Sequence, residues 1–160
     1  MKQLYNKVDG ELHKWSTGST DLLVDHVEND QPFTICIKIA FGINQDINYY
    51  ALFDTGARWS VFPASVVSNH SDRFFPLDIE KRIATRFGTC TGTLHQCDMT
   101  ILVDEGEDIP FQATVLVLPD EEWPHILVVG FTTVLDKIRW ACDPNFDRQG
   151  RLYFGLDEGE

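Results

Sequence analysis

A carboxylate directly after an apolar strand is out of place unless something holds it or uses it. Leu52-Phe53 ends such a run, Asp54 follows at once, and Thr55, Gly56 and Ala57 then turn the chain. A charge at the end of a buried strand loses solvation, so it needs backbone donors or a chemical task. Asp54 admits both readings. In the plainer one it caps the amides of an ordinary strand-ending turn. In the other it is a general acid or base acting on a bound water.

Two further segments bear on that choice. Ile126-Leu127-Val128-Val129-Gly130 is an apolar strand that ends in glycine, and Arg86-Phe87-Gly88-Thr89-Cys90-Thr91-Gly92-Thr93-Leu94 reads as a glycine-bracketed tip between strands. Other chemistries fit less well. Cys90, His95 and Cys97 are close in sequence, but their spacing is wrong for a zinc knuckle and no second ligand cluster follows. The plainer reading is two small half-buried thiols and a solvent-facing imidazole. His13, His26, His70 and His125 are scattered, and neither Ser60 nor Cys142 sits on an elbow-like turn that would expose a nucleophile. Trp123-Pro124 reads as packing. The acidic runs Asp120-Glu121-Glu122 and Asp104 to Asp108 read as solvated loops, and no glycine cluster is followed by the Lys of a phosphate-binding loop.

The chain of 160 residues carries 13 Lys and Arg against 25 Asp and Glu, a formal charge of −12. Phosphate backbones and anionic membrane surfaces reward basic faces, so neither nucleic acid nor a membrane is an expected partner. A hydrophobic content of 43% suits one folded domain rather than an acidic disordered tail. Met1 to Asp9 has no apolar core of secretory length and no later run reaches transmembrane length, so a cytoplasmic location with reduced cysteines is expected.

The elements that must position Asp54 are mostly strands. Residues 1 to 31 are polar and unpatterned and read as an N-terminal extension of unknown role, with the folded domain over 32–160. Phe33 to Ile39 alternates and is rich in β-branched residues; Tyr49 to Phe53 answers it across a turn, predicting a hairpin. Further strands are expected at Ile83 to Phe87, Leu94 to Val103, Phe111 to Leu118 and Leu152 to Phe154, with Gly106 in the acidic turn tolerating positive φ. Phe131, Val134, Leu135 and Ile138 lie at i, i+3, i+4, i+7 and predict a short helix, and a second could start after Pro63. Many short strands and one short helix predict a small β-barrel or sandwich.

The Asp-Thr-Gly turn, the glycine-bracketed tip and the Val128-Val129-Gly130 segment, in this order, resemble the retropepsin family of aspartic proteases over about Phe33 to Gly155. The resemblance implies an all-β fold, a small closed barrel with a β-hairpin flap and one short C-terminal helix after Gly130. It implies Asp54 as the catalytic residue, Thr55, Gly56 and Ala57 as its turn, and Gly88, Thr89, Cys90, Thr91 and Gly92 as the substrate-covering flap. Because the chain has a single Asp-Thr-Gly, the second aspartate would come from another copy in a two-fold homodimer, with Thr55 bonding across the axis. The activity implied is endopeptidase cleavage of an extended peptide, needing no metal and no cofactor. The terminal strand around Gly150 to Phe154 would pair across the two-fold.

Three positions depart from the retroviral pattern. Arg58-Trp59 stands where an acidic residue follows the turn, Phe131-Thr132 replaces an Arg-Asn type of helix start, and Thr89-Cys90-Thr91 is a polar flap tip that could carry an oxidation-sensitive thiol. They look more like a cellular or bacterial member. The alternative is a barrel without proteolysis, serving as a dimerisation or peptide-binding module in which Asp54 is structural.

Overall fold

Runs of β-branched and aromatic residues form strands because their side chains fit a pleated, half-buried surface. In the computed structural model, which describes residues 5–8, 11–14, 19–21, 35–42, 47–85, 88–104, 106–123, 126–143 and 151–156, these strands close on themselves. The chain opens with β1 (Tyr5–Val8), β2 (Glu11–Lys14) and β3 (Ser19–Asp21), followed by β4 (Cys36–Phe41), β5 (Asn48–Phe53) and β6 (Ser60–Pro63). After a six-residue helix α1 (Ala64–Asn69) come β7 (Phe74–Thr85), β8 (Gly88–Leu102) and β9 (Ile109–Leu118). The last elements are β10 (Leu127–Val129), β11 (Ile138–Asp143) and β12 (Arg151–Leu156).

The main sheet runs β4-β5-β10-β6-β9-β8-β7, and an added β4–β8 pairing closes its first six strands into a barrel. Closure leaves no barrel edge to satisfy. Strand β7 stays outside as the free partner of β8, and its bulge between Pro76 and Glu80, with Asp78 at φ 55, interrupts the ladder. Pro76 and that bulge blunt an edge on which Phe75, Leu77 and Ile79 are exposed. β1 and β2 form a separate hairpin, and β3 pairs with β12 in a small sheet of order β11-β12-β3. Strand β12 therefore has a neighbour from its own chain on each side, β11 along its whole length and β3 at Arg151–Tyr153.

Two apolar clusters sit on opposite faces of the same strands. Ile37, Ile39, Ala51, Phe53, Phe62, Met99, Ile101, Val115, Leu127 and Val129 fill the barrel, and Leu152 and Phe154 close it from the small sheet. The alternate residues Val61, Leu116, Leu118 and Val128 pack outward with Cys90, Leu94 and Trp123. Burial on both faces explains why Val115–Leu118 and Leu127–Val129 are continuous apolar runs. Long β8 serves both clusters by parity, Cys97, Met99 and Ile101 facing the barrel and Cys90 and Leu94 the outer layer.

The hairpin of β4 and β5, and β8 to β10 and β12, lie where the pattern predicts strands, though 33 and 34 fall outside the described residues. Gly106 takes φ 104, and Asp108 accepts the Val103 amide at 2.9 Å to shape the acidic turn. The expected C-terminal helix is corrected: the chain over 131–137 is a run of turns leading into β11. Thr133 adopts φ 69 and its hydroxyl donates to the Thr114 carbonyl while accepting the Thr114 amide, at 2.7 and 2.9 Å. A β-branched residue held left-handed by a neighbouring strand breaks the helix. The amides of Leu135 and Asp136 reach back five residues, to Gly130 and Phe131, instead of four. Val134, Leu135 and Ile138 are buried as the periodicity requires, whereas Phe131 is exposed. The helix that does form, α1, follows Pro63.

Cys97, fully buried, has its thiol pushed up to about 12 from 9.0, mainly by burial and further by Asp98. Below pH 9 both folded and unfolded chains keep that proton; between 9 and about 12 only the unfolded chain loses it, so stability drains as pH rises. Cys97→Ala is expected to flatten the fall of the urea midpoint across that window, and equal slopes for the two proteins would refute this.

Candidate active site

Asp54 lies one residue beyond the end of β5, where the parallel pairing of Phe53 with Val129 on β10 has just ended. Its amide donates to the Val129 carbonyl at 3.0 Å, so the backbone of the aspartate is fixed by the central strand of the barrel wall. Asp54 Oδ1 accepts the amides of Gly56 at 2.9 Å and Ala57 at 3.2 Å. This is the capping that the plainer reading of the motif requires, and it uses one carboxylate oxygen. Oδ2 accepts no hydrogen bond from the other described residues. Asp54 is half-buried, while Thr55 and Gly56 are exposed.

The turn is gripped from the other side by the segment after β10. Ala57 and Arg58 offer their carbonyls to the amides of Phe131 and Thr132, both at 2.8 Å, and Trp59 forms a parallel bridge with Thr132. Gly130 is the contact point. A Cβ there would lie 2.4 Å from the Trp59 carbonyl oxygen and 2.8 Å from that of Ala57, distances no side chain tolerates. The Gly130 amide donates to Ser60 Oγ at 3.0 Å, and Ser60 is fully buried. Thus Val129 and Gly130 meet the Asp54 turn through backbone contacts rather than through a helix start.

The hairpin of β7 and β8 shares the outer cluster with this turn. Ile83, Cys90 and Leu94 from the hairpin pack in one layer with Leu52, Ala57 and Trp59, which flank Asp54. The expected tip is corrected, however. Gly88, Thr89, Cys90, Thr91 and Gly92 are not a turn but the first residues of β8, paired with β7 from Thr85↔Gly88 to Lys81↔Gly92, so the connection is the residue pair 86–87, outside the described residues. Cys90 is accordingly buried, 4% exposed, with its thiol on the Glu122 carbonyl at 3.4 Å, and does not form an exposed oxidation-sensitive tip. On the side away from β7, β8 pairs with β9 only from Thr93 onward. Before Thr93 that edge meets the loop after β9, where the Thr91 amide donates to a Glu122 carboxylate oxygen at 3.2 Å.

The rejected constellation of Cys90, His95 and Cys97 is split by strand parity: the two thiols point into opposite clusters, and the His95 ring turns to the Thr93 carbonyl. Among the described residues no group of three His, Cys, Asp or Glu side chains is placed to hold a metal. No described helix is long and apolar enough to cross a membrane. Sequence reasoning missed Ser60, Thr132 and Glu122. Ser60 was legible only as a polar residue between Trp59 and Val61, with nothing to mark Gly130 as its partner. The bracing that departs from the family pattern at Phe131-Thr132 is supplied here by main-chain amides.

Two substitutions probe the grip. Gly130→Ala should destabilise the chain by about 1–3 kcal/mol through overpacking. Ser60→Ala should cost about 1–3 kcal/mol by leaving a buried amide without its acceptor. Urea unfolding measures both, and midpoints equal to the parent's would contradict the contacts.

No protein-family model matches the chain, and no curated protein sequence matches it either. Among solved structures it is similar to a retropepsin-like aspartic protease from Rickettsia conorii, with 13% identity over 76% of this chain and 89% of that one and a TM-score of 0.42. At that distance the neighbour says nothing of this chain's side chains. The chain's own established description is a closed β-barrel with a half-buried aspartate, one oxygen held and one left open, at the end of a central strand.

Proposed function

We propose that this chain is an aspartic endopeptidase that works as a homodimer, each copy lending one Asp54. The observation that carries the reading is the carboxylate itself: Oδ1 is held by two amides of a turn bonded to the barrel wall, and Oδ2 takes no hydrogen bond from the described residues. A capping role explains the first oxygen and leaves the second for chemistry. A single carboxylate lacks the partner acid that amide hydrolysis needs, and a two-fold axis beside the exposed Thr55-Gly56 supplies one.

Two carboxyls in contact cannot both ionise cheaply, so the pair holds one proton between them. The ionised Asp54 takes a proton from a water held between the two, and the hydroxide formed adds to the scissile carbonyl carbon. The protonated Asp54 of the other copy hydrogen-bonds the carbonyl oxygen as it gains charge. Collapse of the tetrahedral adduct breaks the C–N bond, and a carboxyl proton goes to the leaving nitrogen. Thr55, whose exposed hydroxyl has no acceptor among the described residues, bonds across the axis and locks the two turns together. The β7–β8 hairpin covers the bound peptide, with Gly88 to Gly92 as its pairing edge. Residues 32–160 form the catalytic unit and 1–31 an extension that lends β3 to it. A reducing cytoplasm suits the single buried thiols Cys90 and Cys97.

A peptide library incubated with the wild type should be cleaved, and Asp54→Asn should lose at least about a thousandfold in rate, as expected when the acid–base group is removed. No cleavage by the wild type at acidic or neutral pH would instead leave a peptide-binding or dimerisation module, a reading to which Arg58 beside the turn lends support.

Assembly gives a separate test. Specific activity should fall on dilution as the dimer dissociates, and Thr55→Ala should weaken association by sedimentation. Activity proportional to protein down to a proven monomer would defeat the shared site.

A further inference from the structure

Arg58 is the first side chain after the turn that holds Asp54. Its neighbour Ala57 donates to Asp54 Oδ1, and its own carbonyl accepts the Thr132 amide at 2.8 Å, so its backbone moves with the site. The side chain is exposed, and its guanidinium lies over the Trp59 ring, 5.6 Å from the centroid. Trp59 is half-buried in the outer cluster with Ala57, Leu94 and Cys90, which makes the indole a fixed platform. Contact with it removes part of the rotamer freedom that a binding arginine otherwise loses.

What is missing around Arg58 is equally informative. The chain holds 25 Asp and Glu, yet no described carboxylate pairs with this guanidinium, whereas Lys38 pairs with Asp104 and Arg73 with Asp72. In a protein of charge −12, a pre-positioned cation next to the site with no ion-pair partner among the described residues is a local reversal of sign. The overall charge repels a polyacidic tract and the single guanidinium attracts one carboxylate. Its geometry favours a bidentate, planar partner over a point charge.

We infer that Arg58 is a specificity-determining residue that receives one Asp or Glu side chain of an extended peptide, within about three residues of the bond lying over Asp54. This rests on the peptidase reading for what lies over Asp54, but the recognition itself needs only a peptide bound beside Arg58.

The test uses the full chain carrying Asp54→Asn and fluorescein-labelled peptides with a central Phe-Leu bond, in which one Glu is walked through the flanking positions and Gln replaces it as the control. Anisotropy titrations should show roughly tenfold tighter binding of the Glu peptide at one register, the scale of one charge-assisted pair. Adding Arg58→Gln should erase that difference, Arg58→Glu should invert it, and Arg58→Lys should keep part of it. Equal affinity for Glu and Gln peptides, a preference that survives Arg58→Gln, or no binding of any peptide in the set overturns the inference. Cleavage of the same peptides by the Asp54 protein separates the two claims. Cleavage indifferent to Glu removes the Arg58 role alone. A Glu preference in binding that depends on Arg58, without cleavage, removes the peptidase reading alone.

Discussion

The carbonyls of Ala57 and Trp59 occupy the volume where any side chain at residue 130 would stand. Around that contact the amides of Gly130, Phe131 and Thr132 all donate into the stretch 57–60, to Ser60 Oγ and to the carbonyls of Ala57 and Arg58. Two segments seventy or more residues apart in sequence are thereby locked edge to edge, and Asp54 is bonded to the strand that leads into one of them. A carboxylate that is to act on a water must keep its place without a ligand present, and backbone bonds inside a buried layer give that rigidity with little side-chain entropy to lose.

The second consequence is a sheet wall buried on both faces. Strands β5, β10, β6 and β9 send alternate residues into the barrel and into the outer layer, where Ile83, Cys90 and Leu94 of the hairpin join Leu52, Ala57 and Trp59 beside Asp54. A layer packed this way is apolar and stiff. The charged groups near it are Arg58 on Trp59 and Glu122 on the Thr91 amide. Glu122 holds a main-chain amide at the β8 edge.

At the opposite end, β12 is enclosed by β11 and β3, so the terminal strand is paired within its own chain at the registers described. A partner copy joining by sheet extension would meet the outer edge of β3 or β11, not β12 itself. Exposed Thr55 and Phe131 lie at the Asp54 turn.

Strand positions were legible wherever apolar and β-branched residues run together, as at 49–53, 94–102 and 111–118, because burial of a pleated face leaves that mark in the residue order. Period alone failed at 131–138. Val134, Leu135 and Ile138 are buried as a helix would bury them, but Thr133 is pinned to Thr114 on β9, a contact that no local pattern encodes. Phe74 to Arg82 hid its strand because an edge with a bulge and a proline need not alternate. What residue order by itself determined is the place of a carboxylate, Asp54 at the end of an apolar strand, and a mostly β domain around it. Only the tertiary structure decided which oxygen of that carboxylate is held, that Ser60 and Gly130 brace its turn, and that Arg58 lies over Trp59. Those depend on contacts between distant segments, whose free energy is set by close packing in three dimensions and leaves no period in the chain.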